Sequence, residues 1–213
     1  VYHQALSSSL DLRYPAVFLN LGGVANITYI GPDGELIGFD TGPANALIDD
    51  WVSSNSSQTY DDAGRLAQSG RVDEALLKRL LSHDYFLKRP PKSLDRNAFN
   101  VSSLRDLTLQ DGAATLTEFT AASLEASLKH LPKRPQSCLV MGGGRHNPIL
   151  MQAIKKALKI DIQPIDQFGL DGDLIEAQAF AYLAIRKKRG LPITFPGTTN
   201  VPGPLVGGVL YEV

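Results

Sequence analysis

One carboxylate in this chain stands where chemistry on a phosphate could occur. Asp40 lies in Gly38-Phe-Asp-Thr-Gly-Pro-Ala-Asn45, a segment that closes a run beginning at Phe18-Leu-Asn-Leu-Gly-Gly-Val-Ala-Asn-Ile-Thr28. The carboxylate ends an apolar strand-like stretch. Thr41, Gly42, Pro43 and Ala44 follow it directly, ahead of a helix-forming stretch that includes Asn45. Small residues remove the side-chain wall and a helix start offers free N–H groups, so phosphates can approach such a turn closely. A carboxylate beside a phosphate site can serve as a general base or a metal ligand. The same residues also fit an ordinary helix start, with Asp40 or Thr41 as N-cap and Pro43 near the first turn.

Two further groups could join it. Asn20, Gly22, Gly23 and Asn26 surround a turn between two strand-like runs, and could serve a ligand or the turn alone. Met141-Gly142-Gly-Gly144-Arg145-His146-Asn147 sets three glycines between a strand-like run and a helix. A ligand ring or phosphate can lie on such a backbone, although a flexible turn explains the triplet equally well. Asn147 could bond a nucleotide or cap the next helix. His146 reads as a surface or stacking residue. Glu176 could bond hydroxyls or simply suit a helix N-terminus.

The elements that must position these residues follow from periodicity and breakers. Ala16–Leu21 and Ala25–Ile30 read as strands, and Gly31-Pro-Asp-Gly34 is a hairpin signal before a strand over Leu36–Phe39. Pro43 reads as a helix start, with helical periodicity over Ala44–Val52. Ser53–Asp61 reads as a loop, Val72–Ser82 as an amphipathic helix, Lys88–Asn100 as irregular, and Ala113–Leu131 as the longest helix. Strand–helix alternation follows: strand Ser137–Met141, helix Pro148–Leu158, strand Ile160–Ile165, helix Leu174–Lys188, and a final strand over Val206–Tyr211. The Pro/Gly-rich stretch Gly190–Gly203 reads as a surface connection. Antiparallel strands followed by β/α alternation predict an α/β fold, a mixed sheet with helices on both faces.

Composition narrows the function classes. A chain of 213 residues, 43% hydrophobic and 20% charged, supports a real core and argues against disorder. A formal net charge of -1 gives no bulk attraction to nucleic acid or an anionic membrane. The basic run Arg186-Lys187-Lys188-Arg189 fits a helix C-terminus better than a nucleic-acid patch. The single Cys138, in an apolar run, allows no disulfide or thiolate cluster within one chain and reads as a core thiol. No stretch reaches the ~18 apolar residues of a membrane span, and no signal peptide is visible, so a reducing, cytoplasmic setting is expected. Val1-Tyr-His-Gln-Ala-Leu6 reads as the middle of a longer protein.

The order of the turns carries more than any one of them. Strand, Gly-Gly, strand, hairpin, strand with Asp-Thr-Gly, a long helical part, then strand, Gly-Gly-Gly and helix resembles half of the actin-like, sugar-kinase and Hsp70-type ATPase fold. Asn20-Leu-Gly-Gly-Val-Ala-Asn26, Gly38-Phe-Asp-Thr-Gly-Pro-Ala-Asn45 and Ile175-Glu-Ala-Gln-Ala-Phe-Ala181 resemble signature segments of the anhydro-N-acetylmuramic acid kinase family. Lys92-Ser93 with Arg96 and Phe99-Asn100 resembles another, and His3-Gln-Ala-Leu6 resembles the stretch before that family's second half. The resemblance runs from about residue 3 to Tyr211. Ala44 stands where the family has glycine, and Ser93-Leu-Asp-Arg96 where it has Ser-Thr-Gly-Arg.

The resemblance implies a ribonuclease H-like, actin-like ATPase domain built on a five-stranded sheet. Residues 1–213 would be the C-terminal lobe of a two-lobed kinase, inactive without the N-terminal lobe and its phosphate loop. It implies hydrolytic opening of 1,6-anhydro-N-acetylmuramic acid and phosphorylation of O6 by ATP. The product would be N-acetylmuramic acid 6-phosphate, in murein recycling. Asp40 would be the base. Asn26 and Glu176 would lie near the sugar. Gly22, Gly23, Thr41, Gly42, Asn45, Gly142, Gly143, Gly144 and Asn147 would lie near nucleotide and phosphates. Mg2+ would arrive with ATP, held by phosphates and water rather than by a protein metal site. A homodimer is also implied. Other readings of the same turns are a different actin-like sugar kinase, of glucokinase type, and a nucleotide-binding domain without turnover.

Overall fold

The computed structural model describes residues 1–211, apart from the side chain of Ser103. Its centre is a mixed sheet of five strands: β1 (Ala16–Leu21), β2 (Val24–Ile30), β3 (Leu36–Pro43), β4 (Ser137–Met141) and β5 (Asp161–Pro164). The strand order is β3-β2-β1-β4-β5. The first three are antiparallel, while β4 runs parallel to β1 and β5 parallel to β4. β1 has covered strands on both sides and helices on both faces, so it reads Ala-Val-Phe-Leu-Asn-Leu, almost wholly apolar. The β2–β3 hairpin closes at Gly34, whose φ of +80° suits glycine.

Helices cover both faces, as the sequence implies. Helices α5 (Leu109–Ser127) and α6 (Pro148–Leu158) pack Leu124, Leu150 and Ile154 against Leu19, Leu21, Ile27 and Val140. On the other face α1 (Tyr2–Ser7) and α7 (Ile175–Lys188) cover Phe18, Ile30 and Leu139 with Tyr2, Leu6 and Ile175. A third cluster joins α2 (Asn45–Asn55), α3 (Arg65–Ser69) and α4 (Glu74–Leu81) to α5 through Trp51, Leu76, Phe86 and Phe119. Because α5 lies between two of these clusters, it is buried nearly all round. Phe119 is fully buried, and burial of that kind contributes roughly 1.5–3 kcal/mol per large side chain.

The structure corrects several expectations. Asp40 through Pro43 belong to β3 rather than to a turn, because Ala25 pairs with Gly42 and Val24 with Pro43. Pro43 closes an edge strand, where its missing N–H costs no ladder bond. The next helix therefore begins at Asn45, with Ala44 as a cap residue that makes no side-chain cap bond, so neither Asp40 nor Thr41 is the N-cap. That helix extends to Asn55, into the stretch expected as loop. The longest helix starts at Leu109, where the Thr108 hydroxyl accepts from the Asp111 N–H, so Asp111-Gly112 lies inside it. No strand forms over 206–211; an isolated bridge joins Thr194 to Leu205, and Gly207-Gly208, with φ +78° at Gly208, interrupts the apolar run. The expected connection over 190–203 contains the short helix α8 (Pro196–Thr199).

Candidate functional site

The strand register assembles a polar row that no local motif contains. Asn20 on β1 pairs with Asn26 on β2, and Asn26 pairs with Asp40 on β3. Directly paired residues share a sheet face, so the three polar groups lie side by side across three strands. Each step across the row is about 4.8 Å, placing Asp40 about 10 Å from Asn20. On the far side Asn20 aligns with Met141, the last residue of β4 before the glycine triplet. The ends of two parallel strands thus carry the two glycine turns next to each other, the place where α/β sheets take ligands.

The turns are fitted to one another at backbone distance. A Cβ on Gly142 would lie 2.4 Å from Asn20 Oδ1 and 2.9 Å from the Leu21 carbonyl carbon, and its φ is +79°. A Cβ on Gly144 would lie 2.7 Å from Leu21 Cβ and 2.9 Å from Asn45 Oδ1. Asn45 Nδ2 donates to the Leu21 carbonyl at 3.1 Å. The N–H groups of Ala44, Asn45 and Ala46 donate to the carbonyls of Gly23 and Gly22, at 3.1–3.2 Å. The first N–H groups of α2, expected to be free for phosphate, are therefore spent on the Gly22-Gly23 turn.

Cavities open on both sides of the triplet. One of about 250 Å³ is lined by His3, Asn20, Asn26, Gly142, Asp173 and Glu176. It brings together Asn26 and Glu176, the two residues expected near a sugar, with Glu176 in the exposed first turn of α7. His3 enters it from α1, its Nδ1 2.8 Å from Thr28 Oγ1 and its ring stacked on Phe18. Burial pushes the His3 imidazole down to about 4, so it is a neutral wall of the cavity at pH 7. The other cavity, of about 390 Å³, is lined by Asn45, Asp49, Asp61, Gly143, Gly144 and Asn147 among others. Asn147 Oδ1 accepts from the N–H groups of Ile149 and Leu150, so it caps α6 while bordering that cavity. Burial and the neighbouring Asp50 push the Asp49 carboxyl up to about 6.

Asp40 is half-buried, and its Oδ2 accepts from the Leu94 N–H at 2.7 Å. Burial raises its carboxyl above the ordinary carboxylate range, and the Leu94 N–H pulls it partly back. Thr41 and Gly42 do not join the cleft. Thr41 is fully buried and its hydroxyl donates to the Ala25 carbonyl at 3.2 Å. Gly42 lets β3 approach α5, since a Cβ there would lie 2.5 Å from Ser123 Oγ. Gly22 is half-buried and Gly23 exposed at the turn rim.

Arg145 is a residue that sequence reasoning left unassigned. Its side chain is 3% exposed, and all five guanidinium N–H groups are used. They reach Asp166 at 2.8 and 3.0 Å, Asp173 at 2.6 and 3.0 Å, and the Gly142 carbonyl at 3.1 Å. Gly172 packs on it, a Cβ there lying 2.5 Å from Nε, and the Gly142 N–H donates to the Gly172 carbonyl at 3.2 Å. Arg145 thereby ties the glycine triplet to the segment that leads into α7 and Glu176. Exposed His146 contacts Asp173 at 3.1 Å. Among the described residues, no group of three or more His, Cys, Asp or Glu side chains is placed to hold a metal ion. Cys138 is a core thiol, pushed up to about 12 by burial.

The family model for anhydro-N-acetylmuramic acid kinase matches residues 1–213. The chain is 51% identical over 213 residues to an anhydro-N-acetylmuramic acid kinase of Rhizorhabdus wittichii, and 47% identical over 214 residues to one of Zymomonas mobilis. In each case it covers 100% of this chain and 58% of the relative. The chain thus spans somewhat more than half of these relatives' length. Among solved structures, the fold is similar to the activator of the 2-hydroxyisocaproyl-CoA dehydratase from Clostridium difficile, with TM-score 0.53 and 13% identity over 90% of this chain and 69% of that one. It is also similar to xylulose kinase from Rhodospirillum rubrum, with TM-score 0.54 and 16% identity over 83% of this chain and 38% of that one. These place the fold with the actin-like ATPase and sugar-kinase domains. The chain belongs to the anhydro-N-acetylmuramic acid kinase family.

Proposed function

We propose that this chain is one lobe of a two-lobed cytoplasmic kinase that opens 1,6-anhydro-N-acetylmuramic acid with water and phosphorylates its O6 from ATP. The observation that carries the reading is the register-matched row Asn20–Asn26–Asp40, in which Asn20 and Asn26 line a cavity with Gly142 and Glu176 and Asp40 is the next residue across the sheet. In this reading Asp40 takes a proton from water as its oxygen bonds to the anomeric carbon. The C1–O6 bond breaks, and O6 takes the γ-phosphoryl group as its bond to the β-phosphate oxygen breaks and ADP leaves. The product, N-acetylmuramic acid 6-phosphate, belongs to murein recycling. A raised carboxyl that remains an acceptor suits a general base, which works best when its proton affinity is not too low.

Asn26 and Glu176 hydrogen-bond the sugar from the smaller cavity, beside neutral His3. Gly143, Gly144, Asn45 and Asn147 border the cavity that takes the nucleotide, where the two glycines present backbone to it, while Gly142 borders the smaller cavity. ATP supplies the phosphoryl group when bound. Magnesium would arrive with ATP, held by phosphates and water. The other lobe contributes the remaining phosphate contacts, and a homodimer fits the family resemblance.

The test is substrate-stimulated ATP consumption by the full-length protein. The anhydro-sugar should stimulate turnover and glucose should not, and this chain without its other lobe should be inactive. Stimulation by glucose alone would favour a different actin-like sugar kinase. ATP binding without turnover on either sugar would favour a non-catalytic nucleotide-binding domain.

A further inference from the structure

Asp40 is gripped from outside the sheet. Three hydrogen bonds reach it from residues 85–94: the Tyr85 hydroxyl donates to the Asp40 carbonyl at 2.5 Å, the Asp40 N–H donates to the Lys92 carbonyl at 3.1 Å, and the Leu94 N–H donates to Oδ2 at 2.7 Å. β3 is the sheet edge, so the main-chain groups of Asp40 that point away from β2 need partners elsewhere. The 85–94 segment supplies them and adds a donor to the side chain. Lys92 and Leu94 are two residues apart, the spacing at which an extended segment returns to the same side.

The segment is itself anchored. Tyr85 and Phe86 are buried, and Phe86 meets Phe119 edge-on with ring centres 5.9 Å apart. Lys92 Nζ donates to the Tyr85 carbonyl at 3.1 Å and lies 4.4 Å from the centre of the Tyr85 ring. The grip on Asp40 is thus fixed to the core of the helical layer rather than to a free loop.

We propose that residues 85–94 form a positioning clamp for the base, in which the Leu94 main-chain N–H fixes the Asp40 carboxylate while Tyr85 and Lys92 fix its backbone. The proposal rests on the reading of Asp40 as base. The clamp's titratable side chains are Tyr85, Lys88, Arg89 and Lys92: burial and Asp40 push the Tyr85 hydroxyl up, and burial and then Lys129 and Lys88 push Lys92 down to about 8. The donor at position 94 is a main-chain N–H, while the Leu94 side chain packs against the helical-layer cluster and holds that N–H in place.

Replacing Leu94 by its α-hydroxy acid in the full-length protein removes this N–H and keeps the side chain. The Asp40 carboxyl, followed by 13C NMR and assigned with Asp40→Asn, is expected to titrate about one pH unit higher, because a bond to the ionised form is lost. The acid limb of kcat/KM for the anhydro-sugar should move the same way. Tyr85→Phe keeps the ring under Lys92 and is expected to lower kcat about tenfold with KM nearly unchanged. An unmoved titration in an active enzyme overturns the clamp alone. A moved titration in a protein that does not turn over the anhydro-sugar upholds the clamp and overturns the proposed function.

Discussion

Arg145→Lys keeps a positive charge and removes the planar fork that reads two carboxylates at once. The arginine makes five hydrogen bonds, four of them to Asp166 and Asp173, and a lysine can make at most three. Two lost charge-assisted bonds would cost about 3–6 kcal/mol if both carboxylates stayed dry. They do not, since the Asp166 and Asp173 side chains are 45% and 55% exposed and recover water on release. The expected loss is therefore about 2–3 kcal/mol. It should appear in urea unfolding followed by the fluorescence of buried Trp51, the chain's single tryptophan. The pH dependence has a definite sign. Hydrogen bonds from Arg145 hold Asp166 down to about 2 and Asp173 lower still, so their contribution is full above about pH 4 and fades as pH falls toward 2. The gap between the wild type and the variant should narrow over that window, the Asp173 part being lost only at still lower pH. Arg145 also holds the Gly142 carbonyl, so KM for ATP should rise more than kcat falls. A loss below about 0.5 kcal/mol at pH 7, or a gap as large at pH 2 as at pH 7, would refute the assigned role of the fork.

Gly142→Ala must place a Cβ against the Leu21 backbone at a φ of +79°, so it should cost about 2–3 kcal/mol and weaken nucleotide binding, read by thermal unfolding with and without ATP. Asp49→Asn should stabilise the protein by about 1 kcal/mol at pH 7, a figure discounted for partial exposure, because burial pushes this carboxyl up to about 6 and its ionisation opposes folding. That gain should shrink as pH falls from 6 and vanish below about pH 4, and a gain that grows in acid would contradict the sign.

The elements that sequence reasoning located best are those with chemical punctuation at both ends. Strand Ser137–Met141 stops at a glycine triplet, and helix Pro148–Leu158 starts with Pro148 behind an asparagine cap; both have the expected bounds. β3 runs longer than expected because Asp-Thr-Gly-Pro carries turn chemistry, while pairing of Gly42 and Pro43 with Ala25 and Val24 holds it extended. Thr41 and Gly42 looked like ligand residues for the same reason, and tertiary packing against α5 and the Ala25 carbonyl uses them instead. The row Asn20–Asn26–Asp40 was half legible, since each residue is an isolated polar group in an apolar run and only the register aligns them. Arg145 and the clamp were beyond local reading. Arg145's partners lie 21 and 28 residues away, and the Leu94 donor is a main-chain N–H 54 residues from Asp40.

The most direct measurement is the turnover of full-length Asp40→Asn on 1,6-anhydro-N-acetylmuramic acid, with sugar and ATP binding measured on the same sample. Asparagine can still accept from the Leu94 N–H and removes a carboxyl whose burial disfavours its charge, so the fold should hold. With the base gone, kcat should fall by about 10²–10⁴ while both ligands bind nearly as before. Turnover within a few-fold of wild type would contradict the assignment of Asp40 as the base and, with it, the mechanism drawn from the row.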